Sequence, residues 1–362
     1  MGRLEQFHRR LVLAGPESGL ERLFFAVLVG LSWIYGGVVF LRDFFYRVSF
    51  LPVYKARIPV IAVGNLSAGG TGKTPFVDFL LGWFATQGIS TAVVSRGYGG
   101  SFTGKVGVVS TGNGPQMIAS VCGDEPYLLS FKHPQTPVYI APRRRDALKL
   151  LELEQCVDVV LLDDAFQHRQ VDRDLDIVLL DAARPLGNGH LLPAGLLREK
   201  KSALSRADLL VLTRTNRERP EMFTTDLPVC RSAHRLADRV SCLEGESTTL
   251  QALVGQRCLA FAGIAAPEQF YRVLVEAGVS LQTTCSFTDH YVYNQQTVQQ
   301  LEEKAAEADF LITTEKDAVK LAGLSWRKPC YVTQLELDFW DDEPLFELLQ
   351  GIVKKVNHEK HQ

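Results

Sequence analysis

Paired cysteines, a zinc-ligand spacing and a surplus of basic charge are all missing from this chain of 362 residues. Its seven cysteines, at 122, 156, 230, 242, 258, 285 and 330, contain no C-x-x-C pair. An odd, dispersed set argues against a disulfide framework or a zinc site and fits reduced thiols in a cytosolic setting. Formal net charge is -2, so no global cationic excess exists to neutralise phosphates, and no nucleic-acid partner is expected. Internal repeats and low-complexity blocks are absent too. With 46% hydrophobic and 22% charged residues the composition is that of a folded protein, long enough for two domains.

Charge itself is lacking over one long stretch. From Leu23 to Leu41 the run LFFAVLVGLSWIYGGVVFL is uncharged, about the length that crosses a bilayer. Arg3, Arg9, Arg10 and Arg22 precede it, and Arg42, Arg47, Lys55 and Arg57 come after it. It lacks the shorter apolar core and small-residue cleavage site of a secretory signal. Basic charge at both ends gives no orientation. Gly30, Ser32, Gly36 and Gly37 leave a span and an interfacial helix equally open, beside a helix buried in the core. All three keep the remaining chain in the cytoplasm.

After the apolar helix, short β-rich runs alternate with amphipathic stretches. Strands are expected at 59–65, 91–97, 106–110, 136–141, 157–164, 176–182 and 207–213, with helices between several of them. Near-continuous Val/Ile/Leu runs separated by helices predict an α/β fold with a parallel sheet covered on both faces. A polar, proline-bearing segment then leads to a second, smaller α/β set with strands at 257–264, 280–287, 310–317 and 330–337. The expected division is 1–57 for the apolar helix and its basic flanks, 58–215 for a P-loop domain, 216–228 for a linker and 229–362 for the smaller domain.

SAGGTGKTP (67–75) comes directly after the first strand. It departs from the phosphate-loop pattern G-x-x-x-x-G-K-[ST] only in its first position, Ser67. Ser67, Ala68, Gly69, Gly70, Thr71 and Gly72 would supply inward-facing N–H groups. Lys73 would supply charge for the β/γ oxygens, and Thr74 a hydroxyl for magnesium at a helix N-terminus. Gly64, three residues upstream, keeps the segment rich in glycine. A phosphate loop calls for an acid at the end of a neighbouring buried strand, and VDVVLLDDAFQH delivers Asp163 and Asp164. His168, four residues on, faces either phosphate or substrate, or is a satisfied structural histidine.

Other polar clusters are individually ambiguous. GDEP places Asp124 and Glu125 in a turn, as proton acceptor, metal ligand or helix cap. Arg96 in SRGYGG and Arg143, Arg144 and Arg145 before a helix suit phosphate, or a solvated surface. FTDHY offers Asp289 and His290, and TTEKDAVKL runs from a strand end into a helix.

Taken in order, GNLSAGGTGKTP, SRGYG, GDEP, LLDDAFQH, LGNGHLLPAGLLRE, AGIAAPEQF, FTDH and TEKDAVKL resemble the lipid A 4'-kinases, or tetraacyldisaccharide 4'-kinases. The resemblance runs from the apolar helix to about residue 321. It implies ATP- and Mg2+-dependent phosphorylation of the 4'-hydroxyl of a tetraacylated glucosamine disaccharide 1-phosphate, a membrane glycolipid, at the cytoplasmic face of the bacterial inner membrane. No obligate protein partner is implied. By matching position, Lys73 and Thr74 correspond to the phosphate and magnesium residues, and Asp163, Asp164 and Glu125 to the acids around the metal. Asp124 corresponds to the base and His290 to its partner. Arg96, Arg144, His168 and Asn188 fall in polar motifs beside the substrate, and TEKD near the nucleotide base. Two departures, Ala165 for glycine and Leu196 for proline, bear only on loop geometry. A nucleotide-controlled switch is the competing reading, but the chain has neither an N-K-x-D signature nor the lysine of a partitioning ATPase.

Overall fold

The structure, a computed structural model, describes residues 3–154, 157–216 and 223–360. The larger of its two sheets holds β1 (Val60–Asn65), β2 (Thr91–Ser95), β3 (Gly107–Thr111), β4 (Pro137–Ile140), β5 (Val159–Asp163), β6 (Leu175–Asp181), β7 (Leu209–Thr213) and β8 (Val229–Leu236). The smaller holds β9 (Arg239–Cys242), β10 (Thr248–Thr249), β11 (Arg257–Ala262), β12 (Ser280–Ser286), β13 (Phe310–Thr314) and β14 (Cys330–Thr333). A last strand, β15 (Leu335–Trp340), returns to the larger sheet, whose order is β15-β8-β7-β6-β1-β5-β2-β4-β3.

The expected α/β class and large parallel sheet are present. Pairing is parallel from β8 through to β4, and antiparallel only at the two edges, β3 on β4 and β15 on β8. Every residue of β1 is buried because helices cover both of its faces. Phe76, Leu80 and Phe84 of the helix Lys73–Thr86 pack on one face together with Leu345 and Leu349 of the C-terminal helix Glu343–Lys360. Ala147, Leu148 and Leu151 of the helix Arg144–Glu154 cover the other. Each large apolar side chain among them contributes about 1.5–3 kcal/mol by leaving water.

The division expected at residue 229 falls elsewhere. β8, β15 and the C-terminal helix all pack on the larger sheet, so the smaller one is an insertion between β8 and β15. The two crossings lie side by side: Leu236 pairs with Leu335, and the Ala237 N–H donates to the Gln334 carbonyl at 2.9 Å. The segment 330–337, expected as one strand, breaks at Gln334 because its halves pair in different sheets. The strand expected at 310–317 ends at Thr314, whose side chain caps a short helix, Glu315–Ala318, so TTEKDAVKL runs from a strand end into a helix as expected. Residues 217–222 of the expected linker lie outside the described residues.

The uncharged run lies within the helix Gly19–Arg47, the one helix among the described residues long and apolar enough to cross a membrane. It is not a core helix. Only Leu28, Ser32 and Gly36 are buried, whereas Leu23, Val27, Trp33, Ile34, Val38 and Phe40 are exposed. Its small-residue face docks on the loop 191–194. Ser32 Oγ donates to the Leu191 carbonyl at 2.8 Å and accepts from the Ala194 N–H at 3.0 Å. Near its end Arg42 pairs with the buried Glu199, which Arg206 also grips.

Candidate active site

The loop after β1 is held open from three sides. Asn65 Nδ2 donates to Thr71 Oγ1 at 3.1 Å, Thr213 Oγ1 donates to the Thr71 carbonyl at 3.0 Å, and the Ala68 N–H donates to the Leu196 carbonyl at 2.7 Å. Ser67 forms a backbone bridge with Leu197, so this position serves as a docking point for the LLRE segment and needs no glycine. Gly64 plays no part in the loop. It lies in β1, where an added Cβ would sit 2.6 Å from Phe166, so its glycine identity reflects close packing. Gly72 does need its freedom: with φ of 84° it turns the chain into the helix at Lys73, and a Cβ there would meet His234 Nε2 at 3.0 Å. The first-turn N–H groups of that helix open into a cavity of 1770 Å³ between the two sheets.

Lys73 Nζ lies 3.4 Å from Asp164 Oδ1, at the end of the neighbouring strand. Arg198, to which no sequence pattern assigned a role, approaches both Asp164 oxygens at 2.9 Å. Burial pushes the Asp164 carboxyl up, but Lys73 and Arg198 outweigh it and hold it below the ordinary range. Asp163 is the opposite case. Complete burial, then Glu125 and Asp164, push it up to about 7. Its Oδ2 accepts from Ser95 Oγ at 3.2 Å, while buried Oδ1 has no hydrogen-bond partner among the described residues. An orphaned, buried carboxylate oxygen facing other acids fits a divalent cation. Among the described residues no group of three His, Cys, Asp or Glu side chains forms a ready cage, so phosphate oxygens and water would complete the shell.

Across the cavity stands Asp124, in the first turn of the helix Asp124–Lys132, which is entered through Gly123 at φ of 94°. Its Oδ2 lies 3.0 Å from Nδ1 of His290, carried by the loop after β12. His290 lines the cavity; Asp124, only 7% exposed, sits behind it. Desolvation raises the Asp124 carboxyl, but the hydrogen bond from His290 and the charges of Lys320 and Lys316 bring it below its usual value. His290 (φ 59°) and Asp164 (φ 48°) both adopt left-handed backbone, which costs about 1–3 kcal/mol in a non-glycine residue and gathers at functional sites.

Arg96 and His168 also line the cavity. Burial first, then the surrounding arginines, depress His168 to about 3, so it is a neutral imidazole, its Nε2 without a partner among the described residues. Arg144, 3% exposed, is lowered to about 10 by burial and directs Nη2 at the Asp163 carbonyl, 3.3 Å away. Asn188, expected beside the substrate, spends its amide on its own loop. Nδ2 donates to the Ala194 carbonyl at 2.8 Å, and Oδ1 accepts from the His190 N–H at 3.1 Å.

TEKD contributes charge across the cleft. Lys316 Nζ lies 3.5 Å from Glu125 and 3.4 Å from Asp289, and Glu315 meets Lys132 at 2.9 Å. The Lys316–Glu125 and Glu315–Lys132 pairs, which join the two halves of the chain, were unreadable in sequence, because nothing there says which charges will meet.

A family model described as tetraacyldisaccharide-1-P 4'-kinase matches residues 24–354. A tetraacyldisaccharide 4'-kinase from Syntrophotalea carbinolica is 45% identical, over 98% of this chain and 99% of its own. That from Geobacter sulfurreducens is 43% identical, over 96% and 99%. Among solved structures, the "apo" form of LpxK from Aquifex aeolicus in complex with ATP superposes with a TM-score of 0.75 at 30% identity, covering 91% of this chain and 99% of that one. The chain therefore belongs to the tetraacyldisaccharide-1-P 4'-kinase family and is a kinase.

Proposed function

We propose that this kinase transfers the γ-phosphoryl group of ATP to the 4'-hydroxyl of a tetraacylated glucosamine disaccharide 1-phosphate. It does so at the cytoplasmic face of the inner membrane, within the route to lipid A. The observation that carries the reading is the opposition of two half-sites across one cavity. Lys73 and Asp163 stand at the mouth of the glycine loop, and the His290–Asp124 pair stands on the facing wall. The ATP-complexed relative supports the nucleotide half.

ATP would lie with its phosphates on the N–H groups of residues 68–74, Lys73 turning to them from Asp164. Thr74, Asp163 and Glu125 would hold Mg2+, which neutralises charge on the β- and γ-oxygens when bound. Asp164, engaged by Arg198, would join them as Lys73 leaves. A sugar hydroxyl is a poor nucleophile at neutral pH. Because His290 lines the cavity and Asp124 sits behind it, the two exchange the roles implied by the resemblance: His290, backed by Asp124, takes the proton as the oxygen approaches phosphorus, and Arg96 balances charge on the transferred group. Because the pair belongs partly to the inserted sheet, closing the cleft assembles the site and excludes water. The exposed apolar face of the helix Gly19–Arg47 would hold the enzyme at the bilayer surface, where the acyl chains remain. Comparing ADP release with and without glycolipid in detergent micelles tests the proposal. Release that depends on the lipid supports it, and lipid-independent hydrolysis at the same rate refutes it.

A further inference from the structure

The TEKDAVKL segment places a second ammonium group behind the reacting pair. Lys320, 9% exposed at its side chain, has its Nζ 3.5 Å from Asp124 Oδ2 and 3.0 Å from Asp317 Oδ1. Oδ2 is the same Asp124 oxygen that His290 Nδ1 meets at 3.0 Å. Lys320 also lies over the Tyr293 ring, 5.4 Å from its centroid, and among the described residues Nζ makes no aligned hydrogen bond. It does not line the cavity, so it cannot grip substrate directly.

What fixes Lys320 is a rigid mount. Asp317 is completely buried one helical turn before it. Its oxygens accept from the Gly263 N–H at 3.0 Å, the Tyr293 hydroxyl at 3.0 Å and Thr314 Oγ1 at 2.8 Å. Gly263 must be glycine, since a Cβ would lie 2.9 Å from the Tyr293 hydroxyl and 3.0 Å from Asp317. The inserted sheet thus holds one cation at a set place, and that cation meets a carboxylate of the larger sheet only where His290 meets it too. A carboxylate buried this deeply and hydrogen-bonded to a single imidazole has spare lone pairs and rotational freedom.

We propose that Lys320 is a positioning residue for phosphoryl transfer: it locks the Asp124 carboxylate onto His290 Nδ1, so that Nε2 of His290 faces the acceptor hydroxyl. The charge of Lys316 also reaches Asp124, but its ion pairs within 4 Å are with Glu125 and Asp289, so it does not hold the Asp124 carboxylate in place. The inference rests on the assignment of the Asp124–His290 pair to proton removal. It adds that the pair becomes aligned only when the inserted sheet docks.

The test is a double-mutant cycle on the full-length enzyme in micelles, with ATP and the tetraacylated disaccharide 1-phosphate. Lys320→Met should lower kcat by about 10- to 100-fold, at or below the low end of the about 10²- to 10⁴-fold that a proton acceptor itself contributes, since only its positioning is lost, with both KM values within about twofold of wild type. Lys320→Arg should recover most of the loss, since its cation can reach both carboxylates. In an Asp124→Asn background Lys320→Met should cost nothing further, because no carboxylate is left to orient. Additive losses, a rise in KM in place of a fall in kcat, or full activity in Lys320→Met would overturn the proposal. Removing the cation leaves Asp317 buried with one counter-charge fewer, so thermal unfolding is measured alongside. If Lys320→Met does not fold, the same cycle is run with Lys320→Arg, whose residual loss should vanish in the Asp124→Asn background; persistence there counts against the proposal. A wild-type enzyme that leaves the lipid unaltered would instead sink the functional assignment, a result separable from all of these.

Discussion

Gly36 of the long apolar helix faces Leu191 so closely that a Cβ on it would stand 2.9 Å from Leu191 Cδ1. The neighbouring Ser32 bridges Leu191 and Ala194 through its hydroxyl. The loop they hold continues into Leu196 and Leu197, which brace Ala68 and Ser67 of the glycine loop. A helix with its apolar side exposed is therefore tied to the nucleotide end of the cavity by one short run of chain. Ser32→Ala should destabilise the docked helix by about 1–3 kcal/mol, since a buried N–H and carbonyl lose their shared partner. Gly36→Leu should displace the helix outright. Both should lower lipid phosphorylation while vesicle binding, carried by the exposed apolar face, is kept, as read by flotation beside the activity assay.

Two histidines set a pH dependence of stability. Burial depresses His234 to about 3, with Arg214 adding to the effect, and His168 to about 3 as well. An unfolded histidine titrates near 6.5, so between about pH 6.5 and 3 the unfolded chain binds more protons than the folded one. Stability from these groups is complete above about pH 6.5 and falls as the solution is acidified through that window. Asp163, raised to about 7, and Asp176, raised to about 6, act in the opposite sense, because their folded forms take up the proton first. The melting temperatures at pH 7 and pH 5 therefore reflect both sets, and His234→Gln should shift their difference in favour of pH 5 if it folds. An unchanged difference in His234→Gln and in His168→Gln would show that neither carries it.

Gly72→Ala should prevent nucleotide binding. The substitution strains a left-handed backbone and drives Cβ onto His234 Nε2. His234→Ala would relieve the second fault and leave the first, so the double variant should recover stability more than affinity. Calorimetric titration with ATP, beside a melting curve, separates the two.

Asp164 carries two cations, so removing it should act through both. Asp164→Ala frees Lys73 and Arg198, and should cost at least about tenfold in kcat while leaving the fold close to wild type. Magnesium titration of the variant checks the cause: a raised requirement for metal points to the cation shell, an unchanged one to the loss of the Lys73 and Arg198 anchor.

Local pattern makes much of the fold and site legible without coordinates. β1, β5, β6 and β7 are near-continuous apolar runs because both of their faces are covered, and glycine, lysine and threonine after β1 carry the turn into a helix. β8 and β15 were misplaced for the same physical reason read in reverse. VCRSAHRL and LELDFW alternate, as half-buried strands do anywhere, and alternation does not say which sheet they join. Asp124 and His290 came from resemblance to a family, not from spacing, since 166 residues separate them. Arg198, Lys316 and Lys320 were beyond reach. A charged residue in a helix or loop reads as a solvated surface until the opposing element is in place, and theirs are contributed by other parts of the chain.

The most direct test is mass spectrometry of a tetraacylated disaccharide 1-phosphate after incubation with the full-length protein, ATP and magnesium. The account predicts that the lipid gains one phosphoryl group, located on the 4' oxygen by fragmentation, with wild type and not with Lys73→Ala. A lipid of unaltered mass while ATP is consumed, or equal phosphorylation by Lys73→Ala, would contradict it.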